Sequence, residues 1–437
     1  MKVLVLNPDR TNNPVGGLGT SFREVYARLK DDVEFYVVGY PDPKTEIKNY
    51  RSVETLMNLK HGGVAGLLAH TFYISEALRF KITPDIIHAY DWTVYFAAVE
   101  LASNYNVPLV VTMQTSPKAL MEHQVYFCHN RDSVDGHYIQ DAHLQLEQLG
   151  LRNAHHIISA SHAYKKMYPE YAHKTTVIPL GIELSDWKPV EEVKLPGDRK
   201  YKAVYLGRVS TVKGVHAILN VDLPPEFDLL FIGGEVGGDE RGIQDLQMAK
   251  EASNYGFHFR DRVYGQEKID IMCAADIILV PSLHEPFGAI GLEALASKSI
   301  VISSRIDGLG DYLNEDNSIF CEVSPHGIKQ ALNQYLTMSN EDKEKLIENG
   351  VTTCKSYSWG RTAKLHLNVY EDALYDEPNI MFTDPKSEEQ LINEYNETHD
   401  CSQMNVEMLS AEELVKRYGD ELTPEQKELI KHKWSKD

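Results

Sequence analysis

Short runs of Val, Ile and Leu alternate along this chain with polar or amphipathic stretches long enough for helices. A run that is apolar throughout indicates a strand buried on both faces, which is typical of parallel sheets connected by helices. Two series of such runs occur, separated by an irregular charged stretch at 182–200. The runs lie at 3–6, 35–38, 86–88, 109–111, 157–158 and 176–178, then at 203–206, 229–232, 277–280 and 300–302. The sequence therefore predicts two doubly wound α/β domains.

The charge of the chain is unevenly distributed. Its 64 acidic and 44 basic residues give a formal net charge of −20, and the last 62 residues, 376–437, hold 16 acidic and 7 basic residues. Such acidity disfavours non-specific binding to nucleic acid or anionic lipid, although a local basic pocket can still hold an acidic ligand. Capping-box patterns at Ser410 and Thr423 predict helices in this acidic tail.

Nothing in the sequence indicates a membrane, secretory or metal-binding segment. The five cysteines are far apart and form neither a Cys-x-x-Cys pair nor a Cys/His metal pattern. No apolar run approaches 18 residues, and the first strand-like run begins at Val3. We therefore expect a cytoplasmic protein with no signal peptide and no membrane span.

A glycine-rich turn follows the first predicted strand and precedes a helix-like run at 20–30. It reads Gly16-Gly17-Leu18-Gly19, and such a turn lets backbone amides approach a ligand next to the positive end of a helix dipole. It follows neither the GxGxxG fingerprint nor the Walker pattern. From the residues alone, a phosphate site and a purely structural turn both remain open.

Two cations follow the predicted strand that ends at Leu206. Arg208 and Lys213 fall at the carboxyl edge of the second predicted sheet, where doubly wound folds bind ligands. An arginine and a lysine placed together can clamp a diphosphate. Solvated surface charges are the alternative interpretation.

The most informative stretch, 282–294, follows the strand at 277–280 and reads SLHEPFGAIGLEA. Its proline and glycine predict a tight loop before a helix that starts near Phe287, with Glu285 in the loop and Glu293 within the helix. The first amides of that helix would face an anion, and Glu285 would accept hydrogen bonds from hydroxyl groups beside it. This combination predicts a sugar phosphate or nucleotide sugar, and two unrelated structural glutamates are the alternative.

These residues match a family pattern. The chain resembles the retaining glycosyltransferases of the GT-B fold, families 4 and 5, a group that includes glycogen and sucrose synthases. The Glu-x7-Glu spacing from Glu285 to Glu293 is its most specific mark, and the resemblance covers nearly 375 residues. Further matches occur in the family's order at 16–19, 88–92, 179–187, 206–214, 264–266 and 356–359.

The resemblance implies two facing Rossmann-like domains with a cleft between them. Residues 1–182 would form the acceptor-side domain and residues 183–355 the domain that binds the nucleotide sugar. Residues 356–375 would form a helix that crosses back to the first domain, followed by an acidic, partly helical tail at 376–437.

The resemblance also implies roles for individual residues. Glu285 would contact the donor sugar and support charge at the reacting carbon, while Arg208 and Lys213 would neutralise the departing diphosphate. Glu293 would hold the ribose. The remaining donor-binding residues implied are Gly16, Gly17 and Gly19 at the phosphates, the backbone of Phe287, Gly288 and Ala289, and Gly265 with Gln266 near the base.

Three residues of the first domain are candidates for positioning the acceptor or the donor: His88, Asp91 and Gln114. A histidine at a strand end is as often structural. Gln114 replaces a histidine found in many relatives, Pro14 replaces a lysine of glycogen synthases, and Thr93 replaces a histidine of those enzymes. These departures argue against a glucan synthase and leave the donor half of the site intact.

Together, the residues and the resemblance predict a retaining hexosyltransferase. It would move glucose or a similar sugar from a nucleotide-sugar donor, UDP-glucose being favoured, to a glycan or small-molecule hydroxyl. The chain contains no Asp-x-Asp, in agreement with a metal-independent site that has no cofactor. The alternatives are a nucleotide-sugar sensor without turnover and a DNA-base glucosyltransferase of the same fold, while the Glu-x7-Glu spacing disfavours a sugar-phosphate epimerase.

Overall fold

The computed structural model describes residues 1–9, 17–53, 62–122, 134–235, 244, 247–248 and 256–375. Residues 1–380 form one compact unit, and its described part contains two parallel sheets with alternating strands and helices. Gly16 and the helices predicted within 376–437 lie outside the described residues.

The first sheet has seven parallel strands among the described residues, in the order β3-β2-β1-β4-β5-β6-β7. Leu4 and Leu6 pack toward one face, while Val3 and Val5 pack toward the other, so the central strand is buried on both sides. The strands are β1 (Lys2–Asn7), β2 (Glu34–Gly39), β3 (Tyr50–Ser52), β4 (Ile86–Tyr90), β5 (Leu109–Met113), β6 (His156–Ser159) and β7 (Thr175–Val177). The helices are α1 (Gly17–Leu29), α2 (Gly62–Leu78), α3 (Tyr95–Tyr105), α4 (Pro117–Glu122), α5 (Val134–Asn153) and α6 (His162–Met167).

The second sheet has six parallel strands in the part of the chain that is described, in the order β10-β9-β8-β11-β12-β13. Its core strands likewise contribute apolar side chains to both faces. The strands are β8 (Tyr201–Val209), β9 (Phe227–Glu235), β10 (Phe257–Arg260), β11 (Ile277–Val280), β12 (Ile300–Ser303) and β13 (Ser318–Phe320). The helices are α7 (Val215–Leu219), α8 (Gly265–Cys273), α9 (Ala289–Ala296), α10 (Pro325–Thr337) and α11 (Asn340–Cys354).

The chain passes between the two sheets twice, and the two passages lie side by side. The Ile182 amide donates to the Tyr357 carbonyl at 2.7 Å, and the Thr362 hydroxyl donates to the Pro179 carbonyl at 2.8 Å. Ser358 then caps the last described helix, α12 (Trp359–Ala373). This helix packs against α1, so the chain returns to the first domain.

The predicted fold class, two Rossmann-like α/β domains, is confirmed, and each predicted apolar run overlaps an observed strand. The three strands that the pattern missed are β3, β10 and β13. All three lie at sheet edges and are three or four residues long, so none of them needs a long apolar run. The domain boundaries at 182, 355 and 375 stay predictions.

Candidate functional site

The loops after β8 and β11 lie together at the carboxyl edge of the second sheet. These strands are neighbours although β9 and β10 come between them in sequence, so the strand order reverses at this point. In open α/β sheets the crevice at such a reversal binds ligands. Arg208 is the penultimate residue of β8, Lys213 ends the 3-10 turn that follows, and Glu285 lies in the loop after β11.

Gly214 brings the Lys213 turn against the loop after β11. Its φ is +64°, and an added Cβ would overlap the carbonyl oxygen of Pro281. The Leu283 amide donates to the Val212 carbonyl at 2.7 Å, which connects the same two loops. Only glycine combines this backbone conformation with so close an approach.

Lys213 and Glu285 form a direct ion pair. The ammonium lies 2.6 Å from Oε1 of Glu285, and the Ser282 hydroxyl donates to the same oxygen at 2.9 Å. The two charged side chains are 17% and 6% exposed, so the pair is largely removed from water. The lysine and serine therefore fix the orientation of the carboxylate.

Arg208 adds a second cation beside this pair. Burial lowers the pKa of Lys213 and the Arg208 guanidinium lowers it further, whereas the Glu285 carboxylate opposes both effects. Arg208 itself is exposed at the sheet edge. Two cations and one carboxylate leave an excess of positive charge, which suits an anionic ligand.

Helix α9 begins beside Glu285, at Ala289. Its N-cap is Gly288, whose φ is +85° and whose missing Cβ leaves room for Leu309. The Phe287 ring is buried against Tyr312, so only the backbone of Phe287 can face a ligand. The first amides of α9 present partial positive charge at the same edge as Arg208 and Lys213.

Glu293, on α9, pairs with a lysine that the sequence patterns do not single out. The Lys268 ammonium lies 2.6 Å from Oε1 of Glu293 and 5.9 Å from the centre of the Trp187 ring. Gly265 and Gln266 begin the helix that carries Lys268, and the side-chain Nε2 of Gln266 donates to the Lys188 carbonyl at 3.0 Å. Glu293, Gly265 and Gln266 therefore lie on two helices that Lys268 connects.

The predicted glycines of the first domain begin α1. The Gly19 amide donates to Asp9 at 3.0 Å, and Gly17 is exposed. They lie after β1, at the carboxyl edge of the first sheet, while Gly16 is outside the described residues.

His88 is fully buried in β4. Its Nδ1 lies 2.7 Å from the Tyr370 hydroxyl and its Nε2 lies 2.7 Å from the Thr112 hydroxyl. Burial lowers its pKa well below the usual value, and His366 lowers it further. These contacts connect β4 and β5 to α12, while the acceptor-side role of His88 stays a prediction.

Asp91 follows β4 in a conformation that is rare outside glycine, with φ of +83° and ψ of 149°. Its Oδ2 accepts hydrogen bonds from the Thr115 amide at 3.0 Å and the Thr115 hydroxyl at 2.5 Å. Burial raises its pKa to about 6, and the threonine hydrogen bonds partly oppose that rise. Gln114, buried after β5, precedes Thr115 and so lies at the same edge.

A second buried acid, Glu147 of α5, was not identified from the sequence. Burial raises its pKa to about 7, and nearby Asp91 also raises it. Neither of its carboxylate oxygens has a hydrogen-bond partner among the described residues, although the hydroxyls of Tyr168 and Ser116 lie close enough to lower its pKa. No motif marks a single glutamate within a long amphipathic helix.

Two family models together match most of the chain. The model described as Glycosyltransferase Family 4 matches residues 15–186, and the model described as Glycosyl transferases group 1 matches residues 189–352. The first match contains every strand of the first sheet except β1. The second match contains the second sheet with Arg208, Lys213, Glu285 and Glu293.

Curated relatives resemble the chain at low identity. Glycogen synthase from Mycobacterium tuberculosis is 27% identical over 251 residues, which cover 54% of this chain and 56% of that protein. The chain thus spans little more than half the length of that relative. D-inositol 3-phosphate glycosyltransferase from Pseudarthrobacter chlorophenolicus is 24% identical over 392 residues, covering 82% of this chain and 91% of that protein.

Solved structures share the fold. Sucrose-phosphate synthase from Thermosynechococcus elongatus superposes with a TM-score of 0.69 at 19% identity, covering 85% of this chain and 98% of that one. The Anabaena protein Alr3699/HepE, in complex with UDP and glucose, superposes with a TM-score of 0.65 at 15% identity, covering 85% and 100%.

Within the described part of the chain, no helix combines the length and the apolar character that crossing a membrane requires.

Proposed function

This chain belongs to the GT-B glycosyltransferases, with a family 4 domain followed by a group 1 domain, and we propose that it is a retaining hexosyltransferase using a nucleotide-sugar donor. The observation that carries the proposal is the Lys213–Glu285 pair at the strand-order reversal of the second sheet, beside Arg208 and the first amides of α9. A diphosphate and a sugar bound side by side need this combination of cations and one oriented carboxylate.

In the proposed mechanism, Arg208, Lys213 and the α9 amides neutralise the diphosphate as its bond to the sugar breaks. Glu285 accepts hydrogen bonds from the sugar hydroxyls and stabilises positive charge at the reacting carbon. The acceptor hydroxyl attacks on the face that the nucleotide leaves and passes its proton to the departing diphosphate oxygen, so the anomeric configuration is retained. Glu293 accepts hydrogen bonds from the ribose hydroxyls. These hydroxyls either displace the Lys268 ammonium from Glu293 or bind beside it.

We propose UDP-glucose as the donor. The similar Anabaena protein binds UDP and glucose in its complex, and sucrose-phosphate synthase and glycogen synthase are among the similar proteins. The acceptor, a glycan or small-molecule hydroxyl, would bind at the carboxyl edge of the first sheet, near Asp91 and Gln114. The two cations of the donor site would make a metal ion unnecessary for the departing diphosphate.

A donor and acceptor screen by mass spectrometry tests this function. UDP-, ADP- and GDP-linked hexoses are each incubated with a panel of acceptors and with water alone. We expect turnover with UDP-glucose, and we expect NMR of the glycosylated product to show the anomeric configuration of the donor. Binding of UDP without hydrolysis or transfer from any donor would instead identify a sensor, and an inverted product would exclude the retaining mechanism.

A further inference from the structure

The residue before Glu285 connects the two domains. His284 is 2% exposed, and its Nε2 lies 2.8 Å from the hydroxyl of Tyr164 on α6, in the first domain. Its Nδ1 lies 2.7 Å from Oδ2 of Asp307, in the second domain. An ionised Asp307 can only accept, so in the neutral ring Nδ1 donates to it and Nε2 accepts the Tyr164 proton.

The same segment that binds His284 also fixes the backbone of Glu285. The Glu285 amide donates to Asp307 at 3.3 Å, and the Gly308 amide donates to the Glu285 carbonyl at 3.0 Å. An added Cβ at Gly308 would overlap the Pro286 carbonyl, so the two segments are in close contact.

Helix α6 contacts this segment at a second point. The His162 amide, at the start of α6, donates to Oδ2 of Asp311 at 2.6 Å. Ser161 caps the helix and accepts from the Tyr164 amide at 3.2 Å, which fixes the position of Tyr164. One helix of the first domain therefore contacts both the loop of Glu285 and the segment that supports it.

We propose that His284 is a positioning residue, which sets the Glu285 carboxylate through its paired contacts with Asp307 and with Tyr164 of the opposite domain. This inference rests on the proposed role of Glu285. Because the Tyr164 contact exists only where the domains meet, the orientation of Glu285 depends on domain contact, and displacements of about 1 Å at such groups can cost about 100-fold in rate.

The test compares Tyr164→Phe with Tyr171→Phe. The first removes the hydroxyl that crosses between domains, and the second removes a hydroxyl that bonds Gln148 within the first domain at 2.9 Å. We expect Tyr164→Phe to lower kcat about three- to tenfold, the effect of one hydrogen bond, with donor KM changed less than about twofold. We expect Tyr171→Phe to change neither constant.

Hydrogen exchange measured by mass spectrometry gives a readout that does not depend on turnover. Tyr164→Phe should speed exchange of the amides at 282–288 in the other domain, whereas Tyr171→Phe should not. If Tyr164→Phe and Tyr171→Phe gave the same exchange rates at 282–288 and the same kcat, the proposal would be overturned.

Substitutions at His284 separate its two contacts. The amide of His284→Asn can replace Nδ1 and keep Asp307, whereas that of His284→Gln can replace Nε2 and keep Tyr164. Adding Tyr164→Phe to His284→Asn should lower kcat no further, because both changes remove the same bond, and multiplicative losses would contradict the inference. Glu285→Gln tests the proposed function itself, which would fail if this variant retained wild-type turnover. In that case the exchange experiment would still decide whether Tyr164 orders the loop of Glu285.

Discussion

At the scale of single residues, burial raises the pKa of two acidic side chains of the first domain, Glu147 and Asp91. Glu147 is 1% exposed, and its pKa is raised to about 7, with desolvation as the largest cause. Asp91, whose pKa is about 6, lies close enough to raise it further. Both groups therefore change charge near neutral pH, at the sheet edge where we propose the acceptor binds.

This burial predicts how the stability of the protein depends on pH. The folded pKa of Glu147 lies above its unfolded value of 4.5, so the folded state retains a proton that the unfolded state releases. The resulting stabilisation is fully present below pH 4.5 and is lost as the pH rises through 7. We expect Glu147→Gln to raise the free energy of unfolding by about 1–3 kcal/mol at about pH 8 and to change it little at about pH 5.

Urea unfolding monitored by circular dichroism at the two pH values measures this difference. The exposed Glu170→Gln is the matched control and should leave both free energies unchanged. An equal effect of Glu147→Gln at the lower and the higher pH would show that Glu147 has no raised pKa.

At the scale of elements, α12 belongs to the first domain although it follows the second in sequence. Ala363, Val369, Tyr370 and Ala373 pack in the same core cluster as Val3 and Val5 of β1. The Tyr370 hydroxyl also bonds the buried His88 at 2.7 Å. The helix therefore completes the core of the first domain and fixes the return of the chain.

Two truncations test this assignment. A chain ending at Tyr375 should keep donor hydrolysis and a cooperative thermal transition, because it removes only 376–437. A chain ending at Tyr357 loses α12, exposes the apolar face of β1 and should lose cooperative unfolding. Differential scanning calorimetry distinguishes the two, and a cooperative transition in the shorter chain would contradict the role given to α12.

Elements with a strong local sequence pattern could be predicted from the sequence, whereas the residues that contact them in the folded structure could not. The central strands, the loop position of Glu285 and the helix that carries Glu293 follow from apolar runs and from Pro286 and Gly288. No sequence pattern singles out Lys268, Tyr164 or Asp307, and only tertiary contacts bring them to the site. The edge strands β3, β10 and β13 were missed because short strands with one neighbour need no continuous apolar run.

At the scale of the whole molecule, net acidity and an anionic ligand are compatible. Residues 376–437 hold 16 acidic and 7 basic residues, so they carry −9 of the formal charge of −20. Arg208 and Lys213 lie at one sheet edge beside a helix N-terminus, where the local potential differs from the average. The second domain thus brings two cations and one oriented carboxylate to a single region.

The most direct test of the central claim compares two lysines of β8 and its following turn. Lys213 pairs with Glu285 at the carboxyl edge, and Lys202 pairs with Asp228 at 2.5 Å near the opposite end of the strand. Each alanine variant leaves one carboxylate without its lysine, so melting temperatures are measured alongside kcat for UDP-glucose turnover. We predict that Lys213→Ala lowers kcat at least about 100-fold while Lys202→Ala leaves it within about twofold; near-wild-type turnover by folded Lys213→Ala would contradict the assignment of the site.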